Sequence, residues 1–143
     1  MEPRLTAVLD RVVAWAAARP DVRGVALVGS HARDEARDDS DLDLVLLCER
    51  PSELVEDDAW ARELGGTIVA TREWGVVTER RVSLGDALPE LDAGVAALSW
   101  AHTDPVDPGT ARVARDGLRA LHDPDERLRR LLSALWAGRG ASR

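Results

Sequence analysis

Apolar positions along the chain follow two rhythms. Leu5, Val8, Leu9, Val12 and Ala16 recur at intervals of three and four, which predicts a helix over about the first nineteen residues, closed by Pro20. Two short, nearly continuous apolar runs follow, VRGVALVG (22–29) and LDLVLLC (42–48), and both read as strands. The unbroken character of the second predicts cover on both faces, as in the interior of a mixed sheet. Ser52 can cap a helix running to Leu64, with Gly65-Gly66 ending it. TIVAT (67–71), GVVTERRVSL (75–84) and ELDAGVAAL (90–98), separated by Gly or Pro, predict an antiparallel extension. Asp107-Pro108 and Asp123-Pro124 each set a capping acid before a proline at a first helical position. The second adds Glu126 as a capping-box partner and a stripe of Leu128, Leu131, Leu132, Leu135 and Trp136. These elements predict an α/β (α+β) fold, a mixed, partly antiparallel sheet with helices packed on it. The 143 residues suit one domain, with a core over about 1–98 and C-terminal helices over about 107–137.

An acidic segment separates the first two strands. Residues i and i+2 of a strand share a face, so Asp41 and Asp43 stand side by side while Leu42 and Leu44 turn to the core. Like charges so placed repel unless a cation neutralises them. Carboxylate oxygens are hard ligands suited to Mg²⁺, which commonly completes its shell with substrate phosphates. Gly29-Ser30 ends the preceding strand, where a glycine lets a phosphate approach the backbone and a hydroxyl can donate to it. Asp34, Glu35, Asp38 and Asp39 read as a solvated loop.

Composition narrows the chemistry. A net charge of −7 argues against holding duplex nucleic acid through its phosphates. Every basic residue is Arg, which excludes a Schiff-base lysine and a phosphate loop ending in Gly-Lys. The single cysteine, Cys48, reads as buried strand filler, and with three scattered His it offers no zinc-finger spacing. No stretch approaches the roughly 20 apolar residues of a membrane span, and the acid-bearing N-terminus does not read as a secretion signal, so a cytoplasmic location is expected. Five Trp stand in for all Phe and Tyr, mostly as packing; Trp74 and Trp100, near strand ends, have base or ring stacking as their other reading. His31 is either a phosphate or acceptor contact or an exposed loop residue, and His102 and His122 read as surface or capping residues. Of Arg80-Arg81, one should face solvent, and an anionic substrate is the alternative partner.

Gly29-Ser30, ten intervening residues, then Asp41-Leu42-Asp43-Leu44 resembles the signature of the nucleotidyltransferase superfamily related to DNA polymerase beta. The wider string GSHARDEARDDSDLDL is similar to the minimal, single-domain nucleotidyltransferases, with Asp34 where their pattern has Gly. The resemblance implies an enzyme that binds a nucleoside triphosphate with two Mg²⁺ ions and moves the nucleoside monophosphate, AMP by expectation, to a hydroxyl of a small molecule or protein, releasing pyrophosphate. It implies that Asp41 and Asp43 hold the metals and that Gly29 and Ser30 hold the terminal phosphates. Arg33 either adds a charge-assisted contact or braces the loop. A third acid on a later strand is also implied, completing the metal site and accepting the proton of the attacking hydroxyl. In ELDAGVAAL, Leu91, Ala93 and Val95 make one face and Glu90, Asp92 and Gly94 the other; Asp92, further inside the strand, is the choice over Glu90. So small a chain leaves acceptor choice to a shallow cleft, a homo-oligomer or a partner protein. The alternatives are an antitoxin-type minimal nucleotidyltransferase acting on a small helical partner, and a nucleotide-binding protein without turnover.

Overall fold

The computed structural model of the chain describes residues 1–141. Helix α1 (Pro3–Ala17) has proline in its first turn, and Glu2 accepts from the Arg4 amide to cap it. It buries Leu5, Val8, Leu9, Val12, Trp15 and Ala16. Strand β1 (Val22–Val28) runs into the one-turn helix α2 (Gly29–Ala32), and the acidic loop leads to β2 (Leu42–Cys48). Two short helices, α3 (Pro51–Glu56) and α4 (Ala59–Glu63), precede the hairpin of β3 (Thr67–Trp74) and β4 (Val77–Ser83). β5 (Leu91–Ala97), a 3-10 turn at Leu98–Ala101, α5 (Pro108–Arg115), β6 (Leu118–His122) and α6 (Arg127–Ala141) complete the chain.

The strands form one six-stranded sheet in the order β3-β4-β5-β2-β1-β6. β2 and β5 are parallel and every other neighbouring pair is antiparallel. β2 therefore lies inside the sheet, which is why its sequence is apolar at almost every position. Alternate residues feed two cores. Leu42, Leu44, Leu46 and Cys48 pack with α1, Leu54, Trp60 and Leu64 on one face. Val45 and Leu47 pack on the other with Trp100, Ala111, Ala114, Leu128 and Leu131. Burial pushes the Cys48 thiol up to about 12, so it serves as an inert apolar filler. Trp15, Trp60 and Trp100 are core residues, the first two with ring centroids 5.7 Å apart. Among the described residues no helix is long and apolar enough to cross a membrane.

Several expected boundaries move. The helix expected from Ser52 to Leu64 is two helices, and Ser52 lies inside the first rather than capping it. The break follows from Arg80. Its buried guanidinium crosses from β4, donating to the Leu54 carbonyl at 2.7 Å and also to the Val55 carbonyl and Asp58. Those carbonyls are thereby drawn out of the helical ladder, and Asp57 restarts the chain by accepting from the Ala59 amide. β3 extends past Thr71 to Trp74, paired with Val77 across a turn at Gly75 and Val76. The stretch expected to hold only helices also contains β6, which docks antiparallel on β1. LRALH is short and partly exposed, and lacks the apolar alternation that marks a strand. Pro124 does not open α6; Glu126 takes a positive φ of 60° and the helix begins at Arg127, while Asp123 still caps it by accepting from the Leu128 and Arg129 amides.

Arg80→Met should lower stability by about 1 to 3 kcal/mol, because the Val55 carbonyl loses the Arg80 donor and the Leu54 carbonyl keeps only Trp60 Nε1. Asp58→Asn should cost under about 1 kcal/mol, since that partner is solvent-exposed. Urea midpoints of the two variants would check the ranking.

Candidate active site

The register of four strands sets the site. Val28, the last residue of β1, faces Asp43 of β2; Asp43 faces Asp92 of β5; and Asp92 faces Arg81 of β4. Strand alternation turns Asp43, Asp92 and Arg81 to the face of the sheet that carries α5 and α6, at the strand ends beyond the packed core. Asp41 and Glu79 lie one alternate position away on that face. The row borders a cavity of about 280 Å³ lined by Gly29, Arg33, Asp43, Trp74, Glu79, Asp92 and Gly94, with Val113 of α5 and Asp116 just after it.

Gly29 begins the turn with φ +74°, a conformation that L side chains rarely adopt. A Cβ there would sit 2.5 Å from Asp43 Oδ2, so glycine lets the turn close directly over the carboxylate. His31, expected either as a ligand contact or as an exposed loop residue, is buried, with Nε2 2.9 Å from the Ser40 carbonyl. It pins the start of the acidic loop to its end. Asp34 takes φ +58°, so the backbone keeps a glycine-like conformation at the position where the family pattern has Gly. Arg119 of β6 holds Asp34 at 2.6 Å and donates to the Ala32 carbonyl. Arg33 braces the loop, donating to the Asp116 carbonyl at 3.2 Å and to Glu35, and it also borders the cavity.

Four acids of the row, Asp41, Asp43, Glu79 and Asp92, strain against one another. Burial, with the charges of Glu79, Asp43 and Asp41 adding to it, pushes the Asp92 carboxyl up to about 7 against the pull of Arg81. Burial also raises Asp43, helped by Asp41 and Glu79, while a hydrogen bond with Asp92 favours its charged form. Asp92 is the more enclosed of the two third-acid candidates, with its side chain 12% exposed against 37% for Glu90. Arg81, for which sequence offered only solvent or an anionic substrate, instead faces the acids. The clue was the alternation of β4, which places Glu79 and Arg81 opposite Gly94 and Asp92. Trp74 is half-exposed at the cavity rim under the Arg72 guanidinium, whereas Trp100 is core.

The donor set suits a hard divalent cation. It consists of carboxylates, and buried Asp92 Oδ1 takes no hydrogen bond although Arg81 Nε is 2.9 Å away. As the side chains stand, no three His, Cys, Asp or Glu among the described residues gather closely enough to hold an ion, and the Arg81 guanidinium stands in their midst.

A mixed sheet whose neighbouring strands bring acids together beside a Gly-Ser turn has the architecture of a nucleotidyltransferase. A family model described as streptomycin adenylyltransferase matches residues 4–82, more than half of the chain, and the chain belongs to that family. The match takes in Gly29, Ser30, Arg33, Asp41, Asp43 and Arg81 and stops before Asp92. No curated protein matches the chain.

Gly29→Ala should cost at least about 1 to 2 kcal/mol from the positive φ alone, with Ser30→Ala milder, as read by urea unfolding. In chelator, Asp92 should make the fold less stable as pH rises. The folded chain keeps a proton until about pH 7 that the unfolded chain releases near 3.8, so stability drains across that interval and stays low above it. Asp92→Asn should flatten this slope and raise the melting temperature at pH 8, measured by thermal melts across pH.

Proposed function

We propose that the chain transfers AMP from ATP to a hydroxyl of a cationic small molecule, with Mg²⁺ held by Asp41, Asp43 and Asp92. The observation that carries this reading is the opposition of Asp43 and Asp92 in register at the cavity, next to the glycine turn. Bound magnesium would neutralise phosphate charge and orient the α-phosphorus for in-line attack. Gly29 and Ser30 would receive the terminal phosphates, with Arg33 bracing their turn. Asp92, in register with Asp43 and more enclosed than Glu90, is placed to take the proton of the attacking hydroxyl. Trp74 offers an exposed ring at the rim for a base or sugar.

The acceptor class follows from charge. Glu79, Asp92 and Asp116 border the cavity, and an acidic rim favours a positively charged acceptor. The family description names streptomycin, an aminoglycoside with positive charges and several hydroxyls, and acceptors of that kind fit this rim. On this reading the cytoplasm, which supplies ATP and magnesium, is the site of action.

The test is pyrophosphate release from ATP with Mg²⁺ and a panel of aminoglycosides, with the adduct identified by mass. Asp41→Asn and Asp43→Asn should abolish turnover. Asp92→Asn should cut it by about two orders of magnitude or more while nucleotide binding persists, and Glu90→Gln should be mild. Undiminished release by Asp43→Asn would refute the reading, and the reverse ranking of Asp92 and Glu90 would move the base to Glu90.

A further inference from the structure

The Arg81 side chain is arranged as a cation among anions. Its Nη2 donates to Asp92 Oδ2 at 3.1 Å, and its Nε lies 2.9 Å from Oδ1 as an ion pair. Nη1 lies 2.9 Å from Glu90 Oε1 and 3.6 Å from Asp41 Oδ2, and Glu79 stands at 4.0 Å. One guanidinium thus approaches four carboxylates. Asp92 and Asp41 are the acids assigned above to the metal, so ion and guanidinium call on the same oxygens. Arg81 is about a third exposed, and Glu90, which is not among the acids assigned to the metal, lies 2.9 Å from its Nη1.

Resting on the metal-binding reading above, we infer that Arg81 is a built-in counter-cation that occupies the acidic row in the metal-free protein and must be displaced from Asp92 and Asp41 for a divalent ion to bind. It is a positioning residue. It keeps the acids folded together without metal, and it weakens metal binding because each ion must first displace a charge already paired. Glu90 gains a role on this view as the partner that keeps the displaced guanidinium. A doubly charged ion can outcompete the guanidinium, whereas a monovalent ion offers the row no more charge than Arg81 already does.

The test uses the full chain and Mn²⁺ alone, with free ion followed by electron paramagnetic resonance, for wild type, Arg81→Gln, Arg81→Lys and Asp43→Asn. Arg81→Gln should bind Mn²⁺ about tenfold or more tightly than wild type. Its melting temperature in chelator should be lower, and its rise on adding Mg²⁺ larger. Arg81→Lys, which brings one nitrogen rather than two to Asp92, should bind several-fold more tightly than wild type. Folding of Arg81→Gln only when Mn²⁺ is added would equally support the inference. If wild type binds Mn²⁺ in a manner lost in Asp43→Asn, yet neither Arg81 variant binds it more tightly, the inference is overturned and the metal site stands. If no protein binds Mn²⁺, the metal reading fails and the inference with it.

Discussion

Two carboxylates facing each other across parallel strands are the constraint around which this molecule is built. Asp43 and Asp92 are neighbours because β2 and β5 pair residue for residue, and no loop movement can part them without breaking the sheet. Burying them together costs free energy in the absence of a cation, which explains why a raised carboxyl pKa and the Arg81 guanidinium meet at this one place. The surrounding architecture holds the acids in register: a fully buried β2 beneath them, a hairpin that brings Arg81 alongside, and a glycine that lets the preceding turn close over Asp43.

Much of this was legible in the chain. The apolar runs of β1 and β2 and the i, i+2 spacing of Asp41 and Asp43 are local patterns, and local patterns survive folding. Alternation within ELDAGVAAL puts Glu90 and Asp92 on one face, because a face is defined by its own strand, and depth within the strand is what favours Asp92. Less accessible were features whose cause lies elsewhere in the sequence. Nothing near Leu54 announces that Arg80, 26 residues on, takes its carbonyl and ends a helix. β6 is a strand because β1 presents an unpaired edge to it, and its own side chains give little sign of that. For Arg81 the sequence offers solvent or substrate, because Asp41, Glu90 and Asp92 come from other segments.

His31 and Asp34 illustrate a middle case. Their types suggested chemistry or solvent, whereas their structural work is conformational. His31 ties the loop ends together, and Asp34 supplies a left-handed residue held by Arg119. Asp is among the few non-glycine residues that adopt this conformation readily, so the change from Gly alters the side chain far more than the path of the chain.

The docking of β6 bears on how such a domain can be inherited. Arg119 and the Gly117 turn bind the C-terminal segment to the loop after β1, and a Cβ at Gly117 would lie 2.8 Å from Arg33 Cγ. The glycine-serine turn and the C-terminal third of the chain therefore form a single mechanical unit, although more than 80 residues separate Arg33 from Asp116. A gene fusion, recombination event or engineered chimaera that cut after β5 would keep the strands bearing the acids yet release the turn that faces them. The smallest portable piece of this fold extends at least through β6.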